Sequence, residues 1–326
     1  MLSRNEYSQL KTVIVGDATG AKIPKHDISL RCVNYADNGT PPEQGLYPQQ
    51  IIDEANEDID KFIQFLIKEN VNVLRPDVEH DPVYYKFCPR DTVFVHDNNV
   101  LYTPMSLRAR ADEHTAYRKL FDRYESVQQE TVNITREDSL YNTACVGNPN
   151  VLALNETEPC FDAANILKDN DDLYYLVSNS GNLRGAKMLQ HFVGDTAKVH
   201  TIEDVYSYMH LDSTIAFLRE GLLLANPSRI KDRTQLPEKL QNWDIVWAPE
   251  PVDIGHYPGF NNSSPWLSVN LLSINERLVV VEEHQHNLRI ELEKHNIDCA
   301  MLPMRQARTL GGCFHCITVD VERENV

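Results

Sequence analysis

Basic charge is scarce in this sequence: 31 Lys and Arg stand against 48 Asp and Glu in 326 residues, a formal net charge of -17. A nucleic-acid partner needs clustered basic residues to displace counterions from its phosphates, so none is expected here. The negative field instead favours approach of a cationic small molecule, although acidity is also the ordinary route to solubility. Long apolar runs are missing too. No stretch reaches the roughly 18 apolar residues of a membrane span, and Met1–Gly16 has no cationic segment leading into an apolar run of about 7–15 residues. The expectation is a chain with no membrane partner and no secretory signal. The 7 cysteines are odd in number and scattered, which argues against a disulfide framework and suits a reducing, cytoplasmic setting. Long linkers, low-complexity tracts and shifts of composition are absent as well, so one continuous catalytic domain over 1–326 is expected. A hydrophobic share of 42% is ample for its core.

What is present is a rhythm of short apolar runs of strand length: Thr12–Gly16, Thr92–Val95, Leu173–Val177, Thr214–Leu218, Leu222–Ala225, Leu278–Val281 and Cys316–Val319. Helical patterns lie between them. In Gln49–Glu69 the residues Ile52, Ala55, Ile59, Phe62, Ile63 and Leu66 share one face at helical spacing, with acidic residues opposite. Further helices are expected at Asp112–Gln128, Asn182–Phe192 and His284–His295. The alternation reads as α/β and by itself suggests an open sheet. A strand-strand-helix-strand repeat is hinted at, without a fixed sequence period.

The densest group of chemically capable residues is Leu310-Gly311-Gly312-Cys313-Phe314-His315-Cys316. Adjacent glycines open a backbone path that presents a side chain at a strand mouth. Cys313-x-x-Cys316 has three readings: a redox pair, half of a metal site, or one nucleophile with an incidental neighbour. A metal site lacks a second ligand pair, and a thioredoxin-type motif belongs at a helix start, whereas a strand is expected to follow here. His210-Leu211-Asp212 would point alternate residues into one pocket if extended. Asp162, ahead of the helical pattern Ala163-Ala164-Asn165, reads first as an N-cap. A thiol, a histidine and a carboxylate are nevertheless the parts of a nucleophile, a proton carrier and an orienting group, recognised by geometry and not by chain order.

Four motifs together carry a family resemblance: Glu158-Pro159-Cys160-Phe161-Asp162-Ala163-Ala164, His210-Leu211-Asp212-Ser213-Thr214, Asn226-Pro227-Ser228-Arg229 and Gly311 to Cys316. With Cys88-Pro89-Arg90-Asp91 and the run Thr12–Gly16, they make nearly the whole chain resemble the arginine-dependent amidinotransferases. Leu176 to Asn182 and Pro251 to Gly255 are most like the inosamine-phosphate amidinotransferases of aminocyclitol pathways. Glycine amidinotransferases are more distant, although Met209 beside His210 is like that branch.

The resemblance implies a five-fold pseudosymmetric α/β propeller of ββαβ modules, of the pentein type. It implies transfer of the amidino group of L-arginine, via a covalent amidino-cysteine, to a small-molecule amine such as an aminocyclitol phosphate or glycine, with release of ornithine. Carried over by motif, Cys316 is the nucleophile, His210 the general acid and base, and Asp162 its orienting carboxylate. Asp91 and Asp212 hold the guanidinium, Arg229 and Ser264 the amino acid's carboxylate, and Met209 lies with the substrate-binding residues. Cys313 stands where the family usually has a third glycine, which sets a second thiol close to the nucleophile. No cofactor and no metal are implied, and a homodimer would be in keeping with such a chain. The rival is a deiminase-type hydrolase, in which water takes the acceptor's place and arginine becomes citrulline. A phosphorylated acceptor would call for basic residues at the mouth; Arg108, Arg110, Arg184 and Lys187 are available, each equally explained as an exposed helix or loop residue.

Overall fold

A computed structural model describes residues 3–33, 43–77, 84–203, 205 and 208–324. Among them the strands form five three-stranded sheets of one pattern and a two-stranded ribbon, Lys22–Ile23 with Gly45–Leu46. In each three-stranded sheet a first strand pairs antiparallel with the middle one, which pairs parallel with the third. The sets are Val93–His96, Asn99–Tyr102 and Gln128–Thr131; Ile166–Asp169, Asp172–Leu176 and Lys198–Ile202; Ile215–Arg219, Leu222–Ala225 and Asp244–Trp247; and Leu272–Asn275, Leu278–Glu282 and Asp298–Leu302. The remaining module joins the two ends of the sequence: Thr318–Arg323 pairs antiparallel with Leu10–Val15, which pairs parallel with Asn72–Leu74.

A tight turn suffices for the antiparallel step, whereas the parallel step needs a crossover. Helices Gln49–Lys68, Leu183–Val193, Glu238–Gln241 and His286–Glu293 lie in four of the crossovers. The fifth differs from expectation. Instead of one helix over Asp112–Gln128, the chain makes separate 3-10 turns, Arg108–Arg110, Glu113–Ala116 and Arg118–Phe121, and then the strand Gln128–Thr131. The apolar spacing there is helical, but polar bonds elsewhere win. Arg110 and Glu113 are drawn together toward Asp91, and the Tyr117 hydroxyl donates to the Lys86 carbonyl at 3.0 Å. Such bonds override a weak helix propensity and leave tighter local turns.

Successive strand residues face opposite ways, and both faces of these sheets are covered. Val13 and Val15 share an apolar cluster with Leu272, Ile274 and Val280, while Ile14 between them joins Val93 and Val95. Phe94 and Leu101 meet Ile166 and Tyr175; Leu167 and Tyr174 meet Ile215 and Phe217; Ala216 and Leu218 meet Val279 and Val281. Each sheet is thus glued to the next, and the last to the first. The open sheet suggested by alternation is replaced by a ring, the propeller that the family resemblance implied. No helix among the described residues is long and apolar enough to cross a membrane.

Candidate active site

Most of the proposed site residues share one place in the repeating module, Arg229 after the middle strand Leu222–Ala225 being the exception. Asp91 lies just ahead of the first strand Val93–His96, Asp162 ahead of Ile166–Asp169, and His210 and Asp212 ahead of Ile215–Arg219. Asn270 precedes Leu272–Asn275 and Cys316 precedes Thr318–Arg323. In four modules this approach contains a 3-10 turn: Pro89–Asp91, Ala163–Asn165, Leu211–Ser213 and Pro265–Val269. The ring therefore brings together residues that the sequence separates by more than 200 positions.

Cys316 sits before its strand and not within it, because the two glycines ahead of it force a turn. Gly311 has φ +83°, a conformation an L side chain rarely adopts, and closes the short helix Ala307–Leu310. Gly312 is held by space: an added Cβ would lie 2.4 Å from Cys88 Sγ and 2.9 Å from Cys316 Cβ. Phe314 anchors the turn from behind, its ring 5.0 Å from that of Phe62 on helix Gln49–Lys68, with both side chains fully buried. Asn270 ties the front: its Oδ1 accepts from the backbone N–H of Cys316 (2.9 Å) and of Cys313 (3.2 Å), and its Nδ2 donates to the Asp212 carbonyl at 3.3 Å.

His210 Nε2 meets Asp162 Oδ2 at 3.0 Å, and its Nδ1 lies 3.6 Å from Asp91 Oδ1. Asp162 stands at the N-cap position of its turn but makes no capping bond. Its other oxygen instead accepts from the Ser106 backbone N–H (3.1 Å) and hydroxyl (3.4 Å). The N-cap reading is corrected in this respect: the position is right, while the carboxylate is turned toward His210. His210 and Asp212 are likewise not on a strand. His210 is extended (φ -117°, ψ 148°) and Asp212 lies in the following 3-10 turn, yet both line one pocket.

That pocket is also lined by Asp91, Met209, Arg229, Ser264 and Cys316. Asp91, His210 and Cys316 each place one donor or acceptor atom within 4.8 Å of the others. Arg229 donates from Nη1 to Ser213 Oγ (2.8 Å) and Thr214 Oγ1 (3.1 Å), and its Nη2 reaches Ser264 Oγ at 3.5 Å. Of the basic residues considered for the mouth, Arg110 lines the pocket, its side chain 11% exposed and bonded to Asp91 Oδ2 at 2.7 Å. Arg108, Arg184 and Lys187 do not line the pocket; Lys22 and His26 do. The free thiol packed beside Cys316 across Gly312 is Cys88, not Cys313, which faces a separate small cavity beside Val252, Ile254 and Glu282. Sequence reasoning missed Cys88, Asn270 and His315 as parts of this site, and offered Arg110 only as a basic residue at the mouth and not as the partner of Asp91. Cys88 precedes the Pro89–Asp91 turn; Asn270 carries no motif of its own.

Charge is distributed unevenly. Burial raises the Asp91 carboxyl above the usual carboxylate range, opposed by His210 and Arg110. Burial would depress His210, but Asp91 and the bonds from Asp162 and Cys316 hold its imidazolium well above the ordinary value. The Cys88 bond, burial and the Asp212 carboxylate push the Cys316 thiol well up, opposed by His210. Asp91 Oδ1 and Asp212 Oδ1 are buried without a hydrogen-bond partner, which marks them as acceptors with capacity to spare.

The ring of modules and the thiol, histidine and carboxylates converging in it define the class: an α/β-propeller enzyme of the pentein type. Dimethylarginine dimethylaminohydrolase from Pseudomonas aeruginosa shares that fold, with a TM-score of 0.63 at 15% identity over 95% of this chain and 99% of that one. No protein-family model matches the chain, but individual proteins do. It is 38% identical to inosamine-phosphate amidinotransferase 1 of Streptomyces glaucescens, over 98% of this chain and 95% of the relative. L-arginine:L-lysine amidinotransferase of Pseudomonas savastanoi pv. phaseolicola is 30% identical over 98% and 94%. Mitochondrial glycine amidinotransferase of Xenopus tropicalis is 30% identical over 98% and 82%. The solved inosamine-phosphate amidinotransferase of Streptomyces griseus superimposes with a TM-score of 0.93 at 37% identity, covering 100% and 97% of the two chains. The chain belongs to the amidinotransferase family.

Proposed function

We propose that the whole chain acts as one catalytic unit that takes the amidino group of L-arginine onto Cys316 and passes it to a small-molecule amine. The observation that carries this reading is the pair of buried oxygens that accept no hydrogen bond, Asp91 Oδ1, with His210 Nδ1 3.6 Å away, and Asp212 Oδ1, on the pocket wall that holds Cys316. A guanidinium is a planar cation rich in donors and fits between two such carboxylates. Fixed there, its central carbon faces the thiol. Arg229 with Ser264 supplies the opposite polarity for the amino acid's carboxylate, and Met209 gives an apolar wall.

In the free site the Cys316 proton is retained, because Cys88, burial and Asp212 all oppose the thiolate. A bound guanidinium cation reverses that balance by setting a positive charge beside the sulfur. The Cys316 proton is released to solvent as the cation binds, and the thiolate then attacks the central carbon. His210, charged and aligned by Asp162, gives its proton to the departing nitrogen, and ornithine leaves as a neutral amine. An amidino-cysteine remains. Neutral His210 now accepts the proton of the incoming amine as it attacks, the sulfur leaves as a thiolate, and it regains its proton from solvent once the cationic product departs. One histidine serves both halves in opposite senses, so the kinetics are ping-pong, with parallel initial-rate lines at varied acceptor.

For the acceptor, an aminocyclitol phosphate such as scyllo-inosamine phosphate is favoured by the 38% identical relative and by the Lys22 ammonium and the His26 ring among the pocket residues. The test is mass spectrometry of products from purified enzyme, L-arginine and a panel of aminocyclitol phosphates, glycine, lysine and simple diamines. Ornithine with one guanidinylated amine supports the reading. Citrulline whatever amine is supplied would make water the acceptor and replace transfer by hydrolysis.

A further inference from the structure

His315 precedes the proposed nucleophile but has no part in the chemistry above. It is buried, and both ring nitrogens face carboxylates: Nδ1 lies 2.8 Å from Asp212 Oδ2 and Nε2 3.3 Å from Glu6 Oε2. A neutral imidazole has one donor and one lone pair, so either tautomer would turn a lone pair on one of the two carboxylates. Only the imidazolium satisfies both.

From this geometry we propose that His315 is a positioning residue: a buried imidazolium that holds Asp212 ionised and oriented, with Oδ1 free for the substrate guanidinium. The proposal rests on the reading of Asp212 as a guanidinium carboxylate. Asp212 Oδ2 is occupied twice, by His315 Nδ1 and by the Cys316 thiol at 3.4 Å, so its Oδ1 is the oxygen left over for a ligand. When Cys316 loses its proton, that second donor is lost and a thiolate stands against a carboxylate. The charge on His315 is what remains to offset the repulsion.

The groups around the ring fit a fixed charge. Asp212 and Glu6 face its nitrogens. Arg90 lies behind, its Nε 3.4 Å from the His315 carbonyl and its Nη1 3.6 Å from Glu6 Oε2. Asp320 takes Arg90 Nη2 at 2.5 Å, and Lys168 approaches Glu6 from the strand Ile166–Asp169, its backbone N–H 3.2 Å from Glu6 Oε1. Burial and Arg90 work against a charged His315, while the Asp212 and Glu6 bonds outweigh them and raise its pKa. Asp212 is correspondingly lowered despite its burial, first through the His315 bond.

The test compares His315→Asn and Asp212→Asn. Asparagine keeps a neutral donor near the Nδ1 position and removes the charge and the reach to Glu6. His315→Asn is expected to raise KM for arginine about 10- to 100-fold, with a smaller change in kcat, and to have little added effect in the Asp212→Asn background. If Asp212→Asn raises KM and His315→Asn does not, the positioning role is wrong while the transferase reading stands. If Asp212→Asn leaves KM unchanged, Asp212 does not hold the guanidinium, and both fall. Should His315→Asn not fold, nitrogen-15 NMR of histidine-labelled wild-type enzyme decides. A buried histidine that remains doubly protonated at about pH 8 and moves when arginine binds supports the role. The absence of such an imidazolium beyond His210 would overturn it.

Discussion

Two groups of buried charge meet at the centre of the ring, and they are finished differently. In one, Glu6, Arg90, Lys168, Asp320 and Arg323 are closed on each other and on the backbone. Arg90 reaches Thr318 O at 2.9 Å and Asp320; Arg323 reaches Asp320 at 2.7 Å and Ser273 O at 2.8 Å; Lys168 reaches Ser3 Oγ at 2.8 Å and Val95 O at 3.1 Å. In the other, Asp91 and Asp212 each keep one buried oxygen without a hydrogen-bond partner. Burying a charge is costly unless its bonds are made, so a saturated group is architecture and an unsaturated one is capacity for a ligand. His315 touches both groups, through Glu6 on one side and Asp212 on the other.

The comparison can be broken by removing one member at a time. The largest effect is expected in the unsaturated group: Cys316→Ala should lower ornithine formation about 10⁴-fold or more, with urea unfolding little changed. Undiminished turnover would remove Cys316 as nucleophile. Asp162→Asn, which keeps the shape of its side chain but withdraws the charge that aligns His210, should cost roughly 10³-fold in turnover while arginine still binds by calorimetry. In the saturated group the sign of the experiment reverses. Arg90→Met strands Asp320 and Glu6 without their shared partner and should cost about 3–5 kcal/mol in urea titrations. A loss below about 1 kcal/mol would mean that the cluster is not structural.

The smallest effect is the shape of stability against pH. Asp320 is held well below the usual carboxylate range, its burial outweighed by Arg323 and Arg90. Its contribution is present above the ordinary carboxylate pKa and is lost as pH falls through the depressed value. His210 and His315 are raised, so theirs is present below the ordinary histidine pKa and lost as pH rises through the raised values. Urea midpoints should therefore fall at both extremes, and His210→Gln should weaken the alkaline limb alone. An unchanged alkaline limb in that variant would argue against a charged His210.

Parts of this arrangement are legible in the residues. Helix Gln49–Lys68 follows from its apolar spacing, and helix Leu183–Val193 from its spacing and from Asn182, whose side chain caps Gly185 N–H at 2.9 Å. The glycine pair before Cys316 announces an unusual turn, although residues alone do not say that Gly311 answers to its φ and Gly312 to the crowding of Cys88. Other features are not legible locally. Glu113 sits in a segment of helical spacing, and only its bond to Arg110, itself held by the distant Asp91, explains why the segment breaks into short turns. Cys313 and Cys316 are neighbours in sequence, yet the thiol beside Cys316 is Cys88, because a turn sends neighbouring side chains apart while the ring brings two modules together.

Local pattern, set by side-chain period and backbone freedom within a few residues, sufficed for most of the strand and helix rhythm and for the chemically capable residues at Asp162, His210, Asp212 and Cys316, while Asp91 and the residues' roles came only with the family resemblance. The tertiary structure alone decided that the sheets close into a ring, since Leu10–Val15 finds its antiparallel partner Thr318–Arg323 at the other end of the sequence. It alone put most of the proposed site residues, Arg229 excepted, at one recurring place ahead of the first strand of each module. It also decided which buried carboxylate oxygens stay without partners, because hydrogen-bond saturation is a property of everything that surrounds an atom, and most of what surrounds these atoms comes from other modules.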